Sequence, residues 1–121
     1  MLDVFKVNRD GDNDRYNPNK LGNKMLLWHG SRFSNFVGIL SQGLRIAPPE
    51  APSTGYLFGK GVYLADMLEK SGAYTCYQLS NNTALLLLCE TALGKPRELL
   101  HHDYDAARLP PTFDSTKGVG T

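Results

Sequence analysis

Apolar and polar residues fall in short blocks along this chain, and each block predicts a short element. Leu2 to Val7 is rich in apolar, β-favouring residues and predicts a strand. Asn8 to Lys20 is dominated by Asp, Asn and Gly and predicts a turn or loop, sharpest at Asp10-Gly11. Met25 to Trp28 reads as a buried strand that ends abruptly at His29-Gly30-Ser31. Ser34 is placed to cap a helix running to about Gln42, with Phe36, Val37 and Leu40 on one face and Gly43 as the stop. Leu44 to Lys60 contains Pro48, Pro49 and Pro52 and fits neither period. Loops this long inside small domains are usually functional or disordered. Gly61 to Ala65 predicts a short strand. Asp66 to Tyr77 predicts a helix with Asp66 near its start. Thr83 to Leu93, with four consecutive leucines, predicts a central strand. Beyond Gly94 the pattern fades, and Lys117 to Thr121 reads as loop.

These elements predict one α+β domain over residues 1–121, with a mostly antiparallel sheet and a few short helices. The chain ends in what reads as an open loop, as if more strands should follow. A length of 121 residues fits one small domain rather than two. The net charge of +1 gives no reason to expect nucleic-acid binding by this segment, which needs clustered basic residues. Met1-Leu2-Asp3-Val4 leads into mixed polar sequence, so no secretory leader is expected. The longest apolar run, Ala84 to Cys89, is too short to span a bilayer, and no membrane partner is expected. Cys76 and Cys89 read as two free thiols in a reducing compartment.

Four groups of residues could carry chemistry. His29 sits at a strand end followed by Gly30 and Ser31, where a backbone without a side chain lets a ligand approach closely. It reads either as a ligand contact or as a satisfied structural histidine. Gly55-Tyr56-Leu57-Phe58-Gly59-Lys60-Gly61 is one residue short of a phosphate-binding loop, and Gly61 replaces the required hydroxyl, which excludes nucleotide hydrolysis of that type. Tyr63, Lys70, Ser71 and Tyr74 form a third group. Ser71 and Tyr74, three apart, share a helix face and could hold a flat polar ring, or the helix packs its aromatic into the core. His101-His102-Asp103 lacks a partner at zinc spacing, and Asp3, Asp10, Asp12 and Asp14 lack the order of a calcium loop, so no metal is expected.

In fixed order, the segments resemble the poly(ADP-ribose) polymerase catalytic domain. Leu26-Leu27-Trp28-His29-Gly30-Ser31-Arg32 is similar to the signature that opens the family's NAD site. Gly38 to Pro52 and Thr54 to Met67 follow as matched blocks, and Lys70-Ser71 and Tyr74 complete the set. Ser115 to Gly120 resembles a later loop of the DNA-dependent nuclear members. The resemblance covers nearly the whole chain. It implies an ADP-ribosyltransferase-like fold, a nuclear location, NAD as substrate and protein acceptors of ADP-ribose, with DNA engaged only through domains outside this chain.

The resemblance also assigns roles. His29 is implied to hydrogen-bond an adenosine-ribose hydroxyl. Gly30 and Ser71 pair with the nicotinamide carboxamide, and Tyr74 stacks on the nicotinamide ring with Tyr63 opposite. Ser31, Asn35 and Arg45 contact the adenosine half, Lys70 sits near the reacting ribose, and Tyr56 and Ala65 join the NAD-binding set. His29, Tyr63 and Lys70 are the implied catalytic residues. The reaction is glycosyl transfer through an oxocarbenium-like transition state. The chain departs from the family in having no Asn-Glu-Tyr motif. Its four glutamates, Glu50, Glu69, Glu90 and Glu98, lie elsewhere. Leu64 stands where the family usually has Phe. The expectation is a fragment, truncated before the catalytic glutamate and inactive alone. The alternatives are a non-catalytic NAD- or nicotinamide-binding module and an interaction fragment.

Overall fold

The computed structural model describes residues 2–52 and 54–120. Two one-turn helices open it: α1 (Asp12–Arg15) and α2 (Pro18–Leu21). Helix α1 carries Asp12 and Asp14 in its first turn and Arg15 in its last, each complementing the helix dipole. Helix α2 starts on Pro18, which has no N–H to leave unpaired there. Strand β1 (Lys24–Gly30) follows, then a 3₁₀ turn (Phe33–Asn35) and helix α3 (Phe36–Gln42). Gly43 ends α3 at φ 80°, with its N–H donating to the Ile39 carbonyl at 2.7 Å. Helix α4 (Leu68–Gly72) runs into a 3₁₀ turn (Ala73–Thr75), and a second such turn (Tyr77–Ser80) follows. The chain closes with β2 (Leu86–Ala92), β3 (Pro96–Leu99) and β4 (Ser115–Gly118).

The class is α+β. Strands β1 and β2 pair antiparallel over seven residues, from Lys24 opposite Ala92 to Gly30 opposite Leu86. Strands β3 and β4 pair in parallel over four. The link between the sheets runs through Leu93, just past β2. Leu93 N–H donates to Asn23 at 3.1 Å, and Ser115 Oγ donates back to the Leu93 carbonyl at 2.8 Å. The other edge of β1 is held at one point, where Trp28 and Ala65 exchange N–H···O bonds of 2.7 and 2.9 Å.

Several sequence expectations are corrected here. Leu2 to Val7 forms no strand: it pairs with no strand among the described residues, and Leu2, Val4 and Phe5 are each more than four-fifths exposed. Asn8 to Lys20 is not all loop, because α1 and α2 form within it. Gly61 to Ala65 contributes the single Ala65 bridge rather than a strand. The helix expected over Asp66 to Tyr77 is broken. Met67, not Asp66, is its N-cap, and Cys76 at φ 47° ends the turn after it. Ser34 caps nothing, since the chain enters α3 through the 3₁₀ turn and no side chain caps that helix. On α3 only Phe36 is buried, while Val37 is 81% exposed. The leucine run forms a strand with one partner among the described residues rather than a central strand. Strands β3 and β4 lie where the pattern fades, and β4 occupies the first part of the expected loop at Lys117. The Thr121 end of that loop lies outside the described residues.

The core is thin. Leu27, Phe36, Ala65 and Ala106 are its buried apolar residues, joined by the buried hydroxyls of Ser71 and Thr75. The chain exposes 9500 Å². A compact monomer of 13.4 kDa would expose roughly 6500 Å². With so few buried side chains, each counts heavily. Phe36→Ala should cost about 3–5 kcal/mol, whereas Val37→Ala, one residue on, should stay within about 0.5 kcal/mol. Urea denaturation of the two variants measures the difference.

Candidate functional site

Strand β1 places its last residues beside the Tyr63–Ala65 segment and Ser71, near the C-terminal end of α4. His29 Nδ1 lies 2.8 Å from the Tyr63 carbonyl oxygen. A carbonyl only accepts, so Nδ1 carries the proton, and in the neutral ring Nε2 is the acceptor nitrogen. The bond fixes both the tautomer and the ring orientation of His29.

Gly30 is packed against α4 so closely that a Cβ would fall 1.8 Å from the Ser71 carbonyl oxygen and 2.7 Å from its carbon. No larger residue fits without moving the backbone. Ser71 is 3% exposed, and its hydroxyl donates to the Trp28 carbonyl at 3.0 Å. Trp28 oxygen therefore accepts from both Ala65 N–H and Ser71 Oγ. One peptide of β1 ties down the two segments that flank it.

Tyr63 has its hydroxyl doubly engaged, donating to the Gly59 carbonyl at 2.6 Å and accepting from Phe58 N–H at 3.0 Å. Its ring lies 5.9 Å from that of Tyr56, tilted by 48°. The Tyr63 phenol is held above its usual value of 10.0, chiefly by burial, with the Phe58 N–H opposing and Tyr56 and Tyr74 adding to the rise. Tyr74, on the 3₁₀ turn after α4, is 59% exposed and presents its ring to solvent. Lys70 lies exposed on α4.

The fold thus gathers His29, Gly30, Tyr56, Tyr63, Ala65, Ser71 and Tyr74, with Lys70 on the adjoining helix. Ser31 and Asn35 sit together just beyond Gly30, with Asn35 Nδ2 donating to Ser31 Oγ at 2.9 Å. Arg45 follows α3, where its guanidinium donates to Gln42 Oε1 at 2.6 Å. A depression of about 840 Å³ adjoins the cluster, and Tyr56 is the one expected site residue on its wall. Sequence reasoning missed the Trp28 carbonyl as the hub of the cluster. A backbone oxygen leaves no mark in residue identity, so no sequence signal could have found it.

Two of the glutamates are placed away from this cluster. Glu90 lies three residues along β2 from Leu87, the residue opposite His29, which is roughly 10 Å at strand rise. Its carboxylate accepts from the Tyr16 hydroxyl at 3.1 Å. Glu98, on β3, faces Lys117 at 3.7 Å. Among the described residues, no group of three or more His, Cys, Asp or Glu side chains could hold a metal ion. No helix there is long and apolar enough to cross a membrane.

The family model described as poly(ADP-ribose) polymerase catalytic domain matches residues 1–121. The chain belongs to this family. It is 58% identical over 121 residues to Poly [ADP-ribose] polymerase 2-A of Oryza sativa subsp. japonica, covering 99% of this chain and 18% of that protein. It is 58% identical over 121 residues to Poly [ADP-ribose] polymerase 2 of Arabidopsis thaliana, covering 99% and 19%. It is 56% identical over 120 residues to Poly [ADP-ribose] polymerase 2 of Homo sapiens, covering 99% and 20%. The chain spans about a fifth of the length of these relatives. Within the poly(ADP-ribose) polymerase family, then, this segment carries the His29-Gly30 strand end, the Trp28–Ala65 bridge and the Ser71–Tyr74 turn as one packed unit.

Two outcomes follow from this geometry. Gly30→Ala should destabilise the fold by ~3 kcal/mol, because the neighbour that must move is backbone, and chemical denaturation reads the loss. The raised Tyr63 pKa gives a pH signature. Its contribution to stability is complete below 10.0 and disappears as pH rises through the higher folded value, because the unfolded phenol ionises first. In Tyr63→Phe the alkaline fall in stability should be shallower than in the parent chain, measured by denaturation across that range.

Proposed function

We propose that this chain forms the NAD-binding part of an ADP-ribosyltransferase that moves ADP-ribose from NAD to protein acceptors and releases nicotinamide. The observation that carries the reading is the packing of Gly30 against Ser71. It leaves β1 bare of side chain where a flat carboxamide would meet the backbone, beside a buried hydroxyl. The pairing of Gly30 with that carboxamide is the role the family resemblance implies.

On this reading His29, held through Nδ1, uses Nε2 toward a hydroxyl of the adenosine ribose. Ser71 has lone pairs free to accept from a carboxamide N–H, and donating to the ligand means releasing the Trp28 carbonyl. Tyr74 supplies the stacking face and Tyr63 the opposite wall. Tyr56 and Ala65 complete the lining. Ser31, Asn35 and Arg45 serve the adenosine half, for which Arg45 must leave Gln42. Lys70 stands near the reacting ribose. The bond from ribose to nicotinamide breaks with positive charge developing on the sugar, and fixed dipoles around the ring lower that barrier. The acceptor's nucleophilic oxygen then bonds to the ribose carbon, while nicotinamide leaves with the bonding pair.

Efficient transfer is not expected from these 121 residues alone. The glutamate that the family uses to orient the ribose and activate the acceptor has no counterpart in an Asn-Glu-Tyr motif here. A nuclear setting and dependence on DNA through other domains accord with likeness to the DNA-dependent subgroup. A non-catalytic NAD- or nicotinamide-binding module is the form the reading takes for this chain if no transfer occurs. The 9500 Å² of exposed surface favours a second reading, association with further polypeptide.

Nicotinamide should raise the melting temperature of the purified chain, since a ligand that binds only the folded state stabilises it. Tyr74→Ala should abolish that rise. His29→Ala should weaken NAD more than nicotinamide; equal losses for both ligands would contradict its adenosine-side role. Label from NAD should not become covalently attached to a folded sample of the chain. Clear transfer would show that an acid within these residues acts, and would direct substitution to Glu50, Glu69, Glu90 and Glu98.

A further inference from the structure

Lys60 holds an unusual set of partners. Its ammonium donates to three backbone carbonyls, those of Pro48 at 2.6 Å, Pro49 at 3.0 Å and Ala51 at 2.6 Å. Among the described residues no carboxylate lies within ion-pairing distance of it. An ammonium has three donors and no acceptor, so all of its hydrogen-bonding capacity goes to one turn. That turn is itself closed by Ala51 N–H on the Pro48 carbonyl at 3.0 Å. Pro48 and Pro49 have no N–H to donate, so their carbonyls are the backbone groups through which this stretch can be held.

The base from which Lys60 reaches is fixed independently. Gly59 is pressed onto the 104–107 segment, where a Cβ would lie 2.9 Å from the Tyr104 carbonyl and 2.9 Å from Ala107 Cβ. Asp103 N–H donates to the Leu57 carbonyl at 2.9 Å, and the Tyr63 hydroxyl clasps Phe58 and Gly59 as described. Lys60 therefore extends from an anchored turn to one that has few other ties. Ile46, Ala47 and Pro49 on one side, and Tyr56, Gly59 and Lys60 on the other, line the 840 Å³ depression next to the Tyr56–Tyr63 pair.

We propose that Lys60 is a positioning residue. It fixes the Pro48–Ala51 turn as one wall of the groove beside the Tyr56–Tyr63 pair, and so sets the binding of the part of NAD remote from nicotinamide through that wall. The link to NAD rests on the proposed function; the clasp itself does not.

The test uses the chain as it stands, with two readouts that do not depend on a ligand. In the unsubstituted chain, a lysine-acylating reagent followed by mass spectrometry should modify Lys60 at least tenfold more slowly than the exposed Lys6, Lys20 and Lys70. Equal rates would overturn the clasp, and this readout needs no variant to fold. In Lys60→Met, hydrogen exchange at the Ala51 amide should accelerate at least tenfold, with the amides of β1 and β2 unchanged. Unchanged exchange at Ala51 would also overturn it. For the groove, Lys60→Met should weaken NAD at least fivefold and leave nicotinamide within twofold. Parallel loss of both ligands, or of neither, would refute the positioning role. If the parent chain binds no nicotinamide at all, the proposed function fails, and the exchange and acylation results still decide whether the clasp exists.

Discussion

The Trp28 carbonyl oxygen accepts two hydrogen bonds, from Ala65 N–H at 2.9 Å and from Ser71 Oγ at 3.0 Å. Two stretches far apart in sequence meet at this atom: the end of β1, and the run from Ala65 into α4. Each partner is among the few buried residues of the chain, so both bonds lie away from competing water and breaking either would leave a costly unpaired group. The next residues, His29 and Gly30, inherit their geometry from this junction. His29 is oriented by Tyr63, two residues before Ala65, and Gly30 is pressed on the backbone of Ser71. The site is a property of the junction more than of any one side chain.

The economy of the rest of the molecule contrasts with that junction. Among the described residues only four apolar ones are buried. The β1–β2 ladder has seven residue pairs but only part of one face covered, with Leu26 and Leu88 both more than half exposed. Polar clasps do work that apolar burial does elsewhere. Tyr63 on the Phe58–Gly59 turn, Lys60 on the proline turn and Ser115 on Leu93 each fix a connection by side chain to backbone bonds. Such clasps give direction where a thin core gives little, and direction is what a site for a polar ligand needs.

Legibility in the sequence tracked how local each signal was. The β1 run, α3 with its Gly43 stop, and the irregular stretch from Leu44 to Lys60 were visible, because each depends on residues within one element. Leu2 to Val7 has the composition of a strand and forms none, since a strand needs a partner and none among the described residues reaches it. Strands β3 and β4 went unseen for the converse reason: Pro96–Leu99 and Ser115–Gly118 carry little pattern and pair because the intervening chain brings them together. The grouping of His29, Gly30, Tyr63, Ser71 and Tyr74 was legible only through likeness to a family. On their own those residues admitted structural readings, and Ser71 is in fact buried.

By itself the sequence determined the α+β class, a strand over Met25 to Trp28 (though not its extension through Gly30 or the exposure of Met25 and Leu26), and membership of the poly(ADP-ribose) polymerase family through several long blocks in fixed order. Residue identity suffices there, because turn chemistry, helix stops and motif order are written in adjacent positions. Only the tertiary structure decided that Gly30 must be glycine because Ser71 backbone occupies its Cβ space, that His29 is held through Nδ1 by the Tyr63 carbonyl, and that Lys60 spends its charge on three carbonyls. These facts arise from contacts across 9 to 43 residues of chain, several of them with backbone atoms that every residue shares. A sequence names side chains, and such contacts are set by where the backbone is brought.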